Sequence, residues 1–256
     1  MDIKQSRGCR GANEMIETYR LADRLIRIAS DNERLHKMCE DYRADGLPDF
    51  SVSASFEDIA FEREQSDREA AAEGREPRAW SDAYLETLAV YRQIAERMPA
   101  YDTVLFHGSA IAVDGAAYLF VAKSGTGKST HARLWRELFG GRAVMINDDK
   151  PLVRISNDGA IVYGTPWDGK HHLSSNASAP LKVICVLERA DENRIDSIAA
   201  SDALPSMLRQ CYRPADPETL VKTLSLIDRL MRNVRLYRMG CNMDIEAARI
   251  AYEAMR

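Results

Sequence analysis

The rhythm of apolar and polar positions changes near residue 100 of this chain. Before that point helical spacing dominates. "SDAYLETLAVYRQIAERMPA", residues 81 to 100, predicts an amphipathic helix capped by Ser81 and stopped by Pro99. "FEDIAFEREQSDREAAAEGRE" predicts a charged helix ending at the Gly74–Pro77 region, its charge run forming a solvated face. "DNERLHKMCEDYRA" reads as a helix with Asp31 as N-cap. "TYRLADRLIRIAS" fits a helix through Leu21, Leu25, Ile26 and Ile28, but "LIRIAS" alternates, and a strand is the reading adopted. "PDFSVSAS" also alternates as a strand, and the first dozen residues read as a flexible tail.

After residue 100 the texture is that of strands. "DTVLFHGSAIAVDGAAYLFVA" reads as two strands around the hairpin signal Asp114-Gly115. "GGRAVMINDDKPLVRI" supplies an apolar, buried strand ending in two aspartates. "NDG" at 157 to 159 is a turn, "AIVYGTPW" a strand, and "PLKVICVLERA" a strand of the buried type. From Asp202 the chain reads as mostly helical, with "VRLYRMGC" as a last strand. No internal repeat or low-complexity segment is visible.

Composition sets the outer bounds. The 256 residues allow one large domain, or one domain with a smaller lobe, and 45% hydrophobic residues suffice for a core. A net charge of −4 argues against a nucleic-acid binder driven by phosphate neutralisation. Cys9, Cys39, Cys185, Cys211 and Cys241 are scattered with no Cys-x-x-Cys pair, which argues for a reducing compartment and against a zinc knuckle. "MDIKQSRGCRGANE" has no apolar centre, so no signal peptide is expected. No apolar run approaches the roughly 18 residues of a membrane span. A cytoplasmic protein that engages neither membrane nor nucleic acid is expected.

The stretch richest in chemistry is "YLFVAKSGTGKSTHARLW", residues 118 to 135. Tyr118 to Ala122 is a strand-length apolar run, and "STHARLWREL" has a helical pattern. Between them lies a P-loop pattern in the strand-to-helix context that such a motif needs. Gly125 and Gly127 let the backbone turn its amides inward, and with Ser124, Thr126 and Thr130 they would cradle phosphate at the helix N-terminus. Lys128 can reach the β- and γ-phosphates, and the Ser129 hydroxyl can bind Mg²⁺. Ala122 replaces the usual first glycine, which requires a negative φ there.

Three further features accompany this loop. Asp148 and Asp149 end a strand, where α/β proteins bind ligands, and two carboxylates can divide the work of base and metal ligand. Alone they would read as a polar turn before Pro151. His107 ends an apolar strand; it is either a strand-end polar residue or a group that meets phosphate. "YGTPWDGKHHLSSN", residues 163 to 176, reads either as a surface loop or as a binding loop. In the second reading Asp168 is a further metal ligand, and Lys170, His171 or His172 meets an anion. Arg229, Arg232, Arg235 and Arg238 recur every third residue and read as a solvated helix face, or less simply as a surface for an acidic partner.

"HGSAIAVDGAAYLFVAKSGTGKSTHARLW" followed by "INDD" resembles the catalytic domain of HPr kinase/phosphorylase and its wider group of related kinases. In that family a His-Gly ends a strand fifteen residues before the P-loop, as His107 precedes Ala122. An Asp-Asp pair ends the next strand, as at Asp148-Asp149. The likeness covers about residues 103 to 190. It implies an α/β fold with a mixed sheet akin to phosphoenolpyruvate carboxykinase, carrying the P-loop, in residues 101–256. Residues 1–100 would then form a small α+β N-terminal lobe unlike that family's own. It also implies ATP-dependent phosphorylation of a hydroxyl, typically serine. Carried over, Asp148 is the base, Asp149 and Ser129 hold Mg²⁺ with Asp168 as a further ligand, Lys128 stabilises the transferred phosphate, and His107 lies beside it. The acceptor stays open between a peptide, a protein and a small molecule such as free serine or a sugar. Relatives of this fold often form oligomers, so a homo-oligomer is within expectation. The reading from a different class is a nucleotide-binding regulator that transfers nothing.

Overall fold

The computed structural model describes residues 15–72 and 74–256. The tail expected over the first dozen residues, and Cys9 with it, lies outside the described residues, as does the side chain of Lys170. The chain divides into two compact units, Met1–Arg92 and Gln93–Arg256.

In the first unit, β1 (Met15–Leu21) pairs antiparallel with β2 (Arg24–Ser30), and β2 pairs parallel with β3 (Phe50–Val52). The stretch read as one strand is therefore a hairpin. Its turn residues Ala22 and Asp23 sit at φ 47° and 61°, the left-handed region that tight hairpin turns need and that glycine or asparagine usually supplies. Helix α1 (Glu33–Met38) is capped by Asn32, one residue later than expected: the Asn32 side chain accepts from Arg34 N–H at 3.1 Å. Helices α2 (Phe56–Ala72) and α3 (Asp82–Arg97) follow. Ser81 Oγ accepts from Tyr84 N–H at 3.3 Å, and Pro99 sits in the 3-10 turn Met98–Tyr101 after α3. The charge run of α2 is not wholly solvated, because Arg92 bonds both Asp58 and Glu62 at 2.6 Å.

The second unit is mixed α/β, built on a nine-stranded sheet. The path runs β4 (Thr103–Leu105), β8 (Leu152–Ile155), β9 (Ala160–Tyr163), β10 (Ser178–Arg189), β6 (Ala116–Val121), β5 (Gly108–Val113) and β7 (Ala143–Asn147). Strand β12 (Arg235–Cys241) joins β10, and β11 (Arg194–Ser197), which the sequence did not suggest, joins β12. The long β10 links two ladders. Its start runs antiparallel to β9, and its remainder runs parallel to β6 and β12.

Alternation along β6 divides the core. Ala117, Leu119 and Val121 pack in one cluster with Met207 of α5 (Ala200–Gln210) and Leu226 and Leu230 of α6 (Pro217–Asn233). Tyr118, Phe120 and Ala122 pack in the other with Leu134 and Trp135 of α4 (Lys128–Phe139) and Ala248 and Ala251 of α7 (Ile245–Met255). A period of two on one strand thus seats helices on both faces of the sheet.

Three expectations need correction. "DTVLFHGSAIAV" is not one strand: β4 leaves at Leu105 to pair with β8, and only β5 and β6 form the hairpin. Strand β7 ends the sheet path, and only Ile146 and Asn147 on it are buried, so the two aspartates follow an edge strand. The four arginines do not share a helix face, because Arg229 and Arg232 lie on α6 while Arg235 and Arg238 lie on β12. Among the described residues, Cys39, Cys185, Cys211 and Cys241 are free thiols, and no helix is long and apolar enough to cross a membrane.

Candidate functional site

Strand β6 ends at Val121 and α4 begins at Lys128, so residues 122–127 form the connecting loop. Gly125 and Gly127 have φ of 76° and 120°, while a Cβ on either would meet nothing within 4 Å. Conformation, not space, is what demands glycine at both. Ala122 is buried and is not among the residues with positive φ. Lys128 is the first residue of α4 and is buried, and its Nζ donates to Ala122 O at 3.0 Å. From the end of β10, Arg189 donates to Gly125 O at 2.5 Å and ties the loop to the sheet.

The triplets "HGS" and "NDD" face each other. In the antiparallel ladder of β5 and β7, Ala110 stands opposite Asn147. Beyond that pair, Ser109 Oγ donates to Asp148 Oδ1 at 2.5 Å and Gly108 N–H donates to Asp149 O at 2.9 Å. His107 Nε2 stands 3.4 Å from Asp149 Oδ1. A Cβ on Gly108 would meet Leu119 Cδ1 at 2.8 Å and Phe120 O at 3.0 Å, so a larger residue would push this strand end off β6. Asn147 shapes the aspartate turn. Its Oδ1 accepts from Asp149 N–H at 2.8 Å and Lys150 N–H at 2.7 Å, and its Nδ2 donates to Thr165 O at 2.9 Å.

The charges of the two segments interact. Burial pushes the Asp148 carboxyl up, while the hydroxyls of Ser109 and Ser129 and the nearby His171 favour its charged form. Burial pulls the Lys128 ammonium down, opposed by Asp149 and Asp148. The structure therefore brings Lys128, Ser129, Asp148, Asp149 and His107 together from three separate stretches of chain.

The loop at 163–176 lies against the aspartate turn. A Cβ on Gly164 would fall 1.9 Å from Ser175 O and 2.6 Å from Ile146 O, so backbone packs directly on backbone. A Cβ on Gly169 would meet Asp149 Cβ at 3.1 Å. Asp168 is buried and engaged within its own loop: Oδ2 accepts from Ser174 Oγ at 2.9 Å, and Oδ1 lies 3.1 Å from His172 Nδ1. Ser124 is exposed, and Thr126 and Thr130 are partly so. Among the described residues no group of three or more His, Cys, Asp or Glu side chains is arranged to hold a metal ion.

Sequence reasoning missed Ser109, Asn147 and Gln210. The first two sit inside the quoted triplets, and pairing "HGS" against "NDD" would have revealed them. Gln210 carries no such signal. Its backbone carbonyl accepts from His107 N–H at 2.6 Å, and with the side-chain amide oriented so that its nitrogen faces acceptors, that nitrogen donates to Ala122 O at 3.1 Å.

No protein-family model matches the chain, and no curated protein matches it. Among solved structures, the HPr(Ser) kinase/phosphatase from Coxiella burnetii is similar at 9% identity. That likeness covers 59% of this chain and 97% of that chain, with a TM-score of 0.32. At that score the site, not the likeness, carries the functional reading.

Proposed function

We propose that the chain is an ATP- and Mg²⁺-dependent kinase that transfers the γ-phosphoryl group to a hydroxyl, on a serine of a peptide or protein or on a small molecule. The observation that carries this reading is the Asp148-Asp149 turn, held beside the glycine loop so that both carboxylates act on Lys128 and Asp148 lies beside Ser129. A loop that only binds Mg–nucleotide can use one carboxylate at the ion, but it has no need of a second one as a base beside the γ-phosphate.

In the proposed reaction the acceptor oxygen forms a bond to the γ-phosphorus, the bond to the bridging oxygen breaks, and ADP leaves. Asp148 takes the hydroxyl proton; its raised basicity suits that task. Residues 124–130 hold the phosphates through backbone N–H groups, and Lys128 leaves Ala122 O to meet the transferred group. The oxygen donors of Ser129 and Asp149 suit Mg²⁺, which typically takes one or two carboxylates plus phosphate and water. Asp168, next to Gly169, is the further ligand expected from the sequence. When bound, that ion would neutralise charge on the phosphates. His107 orients Asp149.

Asp148→Asn tests this reading against the regulator. Retained nucleotide binding with lost transfer supports the kinase. Transfer and binding both at wild-type level would remove Asp148 as the base.

A further inference from the structure

We propose that Ser109 is a positioning residue that fixes the carboxylate plane of Asp148 for phosphoryl transfer; this rests on the kinase reading above. Every position of β5 is buried, and the strand reads Gly108-Ser109-Ala110-Ile111-Ala112-Val113. Ser109 is its one side chain with a polar atom, and it is wholly buried. Alanine fills the strand at 110 and 112, so packing does not require a hydroxyl. A buried hydroxyl without a partner costs about 1–3 kcal/mol. The Ser109 hydroxyl has a partner, Asp148 Oδ1 at 2.5 Å, placed there by the register that sets Ala110 opposite Asn147.

The arrangement leaves room for chemistry. An ionised carboxylate offers about four lone-pair sites. Ser109 takes one on Oδ1, and Ser129 lies beside the same carboxylate. Asp148 can still meet an acceptor hydroxyl, but with its orientation set from the sheet side. Without the Ser109 donor, the carboxylate loses the bond that fixes its plane. An error of about 1 Å in such geometry can cost on the order of 100-fold in rate.

The experiment compares wild type, Ser109→Ala and Ser109→Thr with γ-labelled ATP, Mg²⁺ and a fixed amount of host lysate as acceptor. The rate at saturating ATP, the KM for ATP and the affinity for Mg–ADP are read separately. Ser109→Ala is expected to lower the saturated rate roughly 10- to 100-fold. KM and Mg–ADP affinity should stay within about two-fold, and threonine should restore most of the rate. Should threonine not fold in the packed strand, Ser109→Cys replaces it, with a rate above that of alanine. Wild-type turnover by Ser109→Ala overturns the proposal. So does a fall in rate and Mg–ADP affinity together, which marks a structural role. A wild type that binds Mg–ADP but labels nothing overturns the kinase reading itself and takes this proposal with it.

Discussion

His107 Nε2 stands 3.4 Å from Asp149 Oδ1, although the two residues lie on different strands' ends with the glycine loop between them in sequence. The hairpin of β5 and β6 and the antiparallel pairing of β5 with β7 bring them together. The imidazole is part-exposed, so it can orient Asp149 while facing solvent. His107→Ala is expected to slow transfer by about 10-fold, less than loss of a base, which costs on the order of 10²–10⁴. Single-turnover label transfer checks this.

Asp148→Asn keeps shape and loses the basic oxygen. Transfer should fall by about 10²–10⁴ while Mg–ADP affinity holds. Rapid-quench transfer and equilibrium nucleotide binding, measured on the same preparation, give the two numbers.

Asn147→Ala leaves the N–H groups of Asp149 and Lys150 without their acceptor. Each orphaned group costs about 1–3 kcal/mol where water cannot replace the partner. A lower urea midpoint with an unchanged slope is expected, together with loss of transfer.

Gly164→Ala should be far more harmful than Gly159→Ala. The first places a Cβ 1.9 Å from a backbone carbonyl oxygen, and the second meets nothing within 4 Å. Overpacking of this kind costs about 1–3 kcal/mol or more. Thermal melting of both variants beside wild type tests the contrast.

His131 links stability to pH. Burial pulls its pKa down to about 4, and its Nε2 accepts from Trp135 Nε1 at 3.0 Å, which requires the neutral ring. The unfolded chain takes up this proton near pH 6.5, whereas the folded chain resists until about 4. The contribution is complete above 6.5 and is lost as pH falls toward 4. A shift of this size corresponds to about 3 kcal/mol. His131→Gln, which keeps an acceptor for Trp135, should flatten the unfolding free energy across that window relative to wild type.

The glycine loop was legible because its chemistry is local: two glycines between a strand and a helix, and a lysine and a serine that open that helix. The Asp148-Asp149 turn was legible as a strand end, but not its place after an edge strand, since pairing order is set by long-range contacts that no local pattern encodes. The turn at Ala22-Asp23 was hidden because Ala22 is not a usual source of left-handed backbone, and Asp23 has no glycine beside it to complete the hairpin signal. Gln210 was hidden for another reason. It reaches His107 and Ala122 from the end of α5, 103 and 88 residues away in sequence, and nothing around it in sequence marks that meeting.

The most direct measurement incubates purified chain with γ-labelled ATP, Mg²⁺ and a lysate of its own host, beside Lys128→Ala and Asp148→Asn. The expected result is a labelled peptide, protein or metabolite with wild type only, while Asp148→Asn still binds Mg–ADP. Wild type that binds nucleotide yet labels nothing beyond Lys128→Ala would contradict a kinase and favour a regulator that only senses nucleotide.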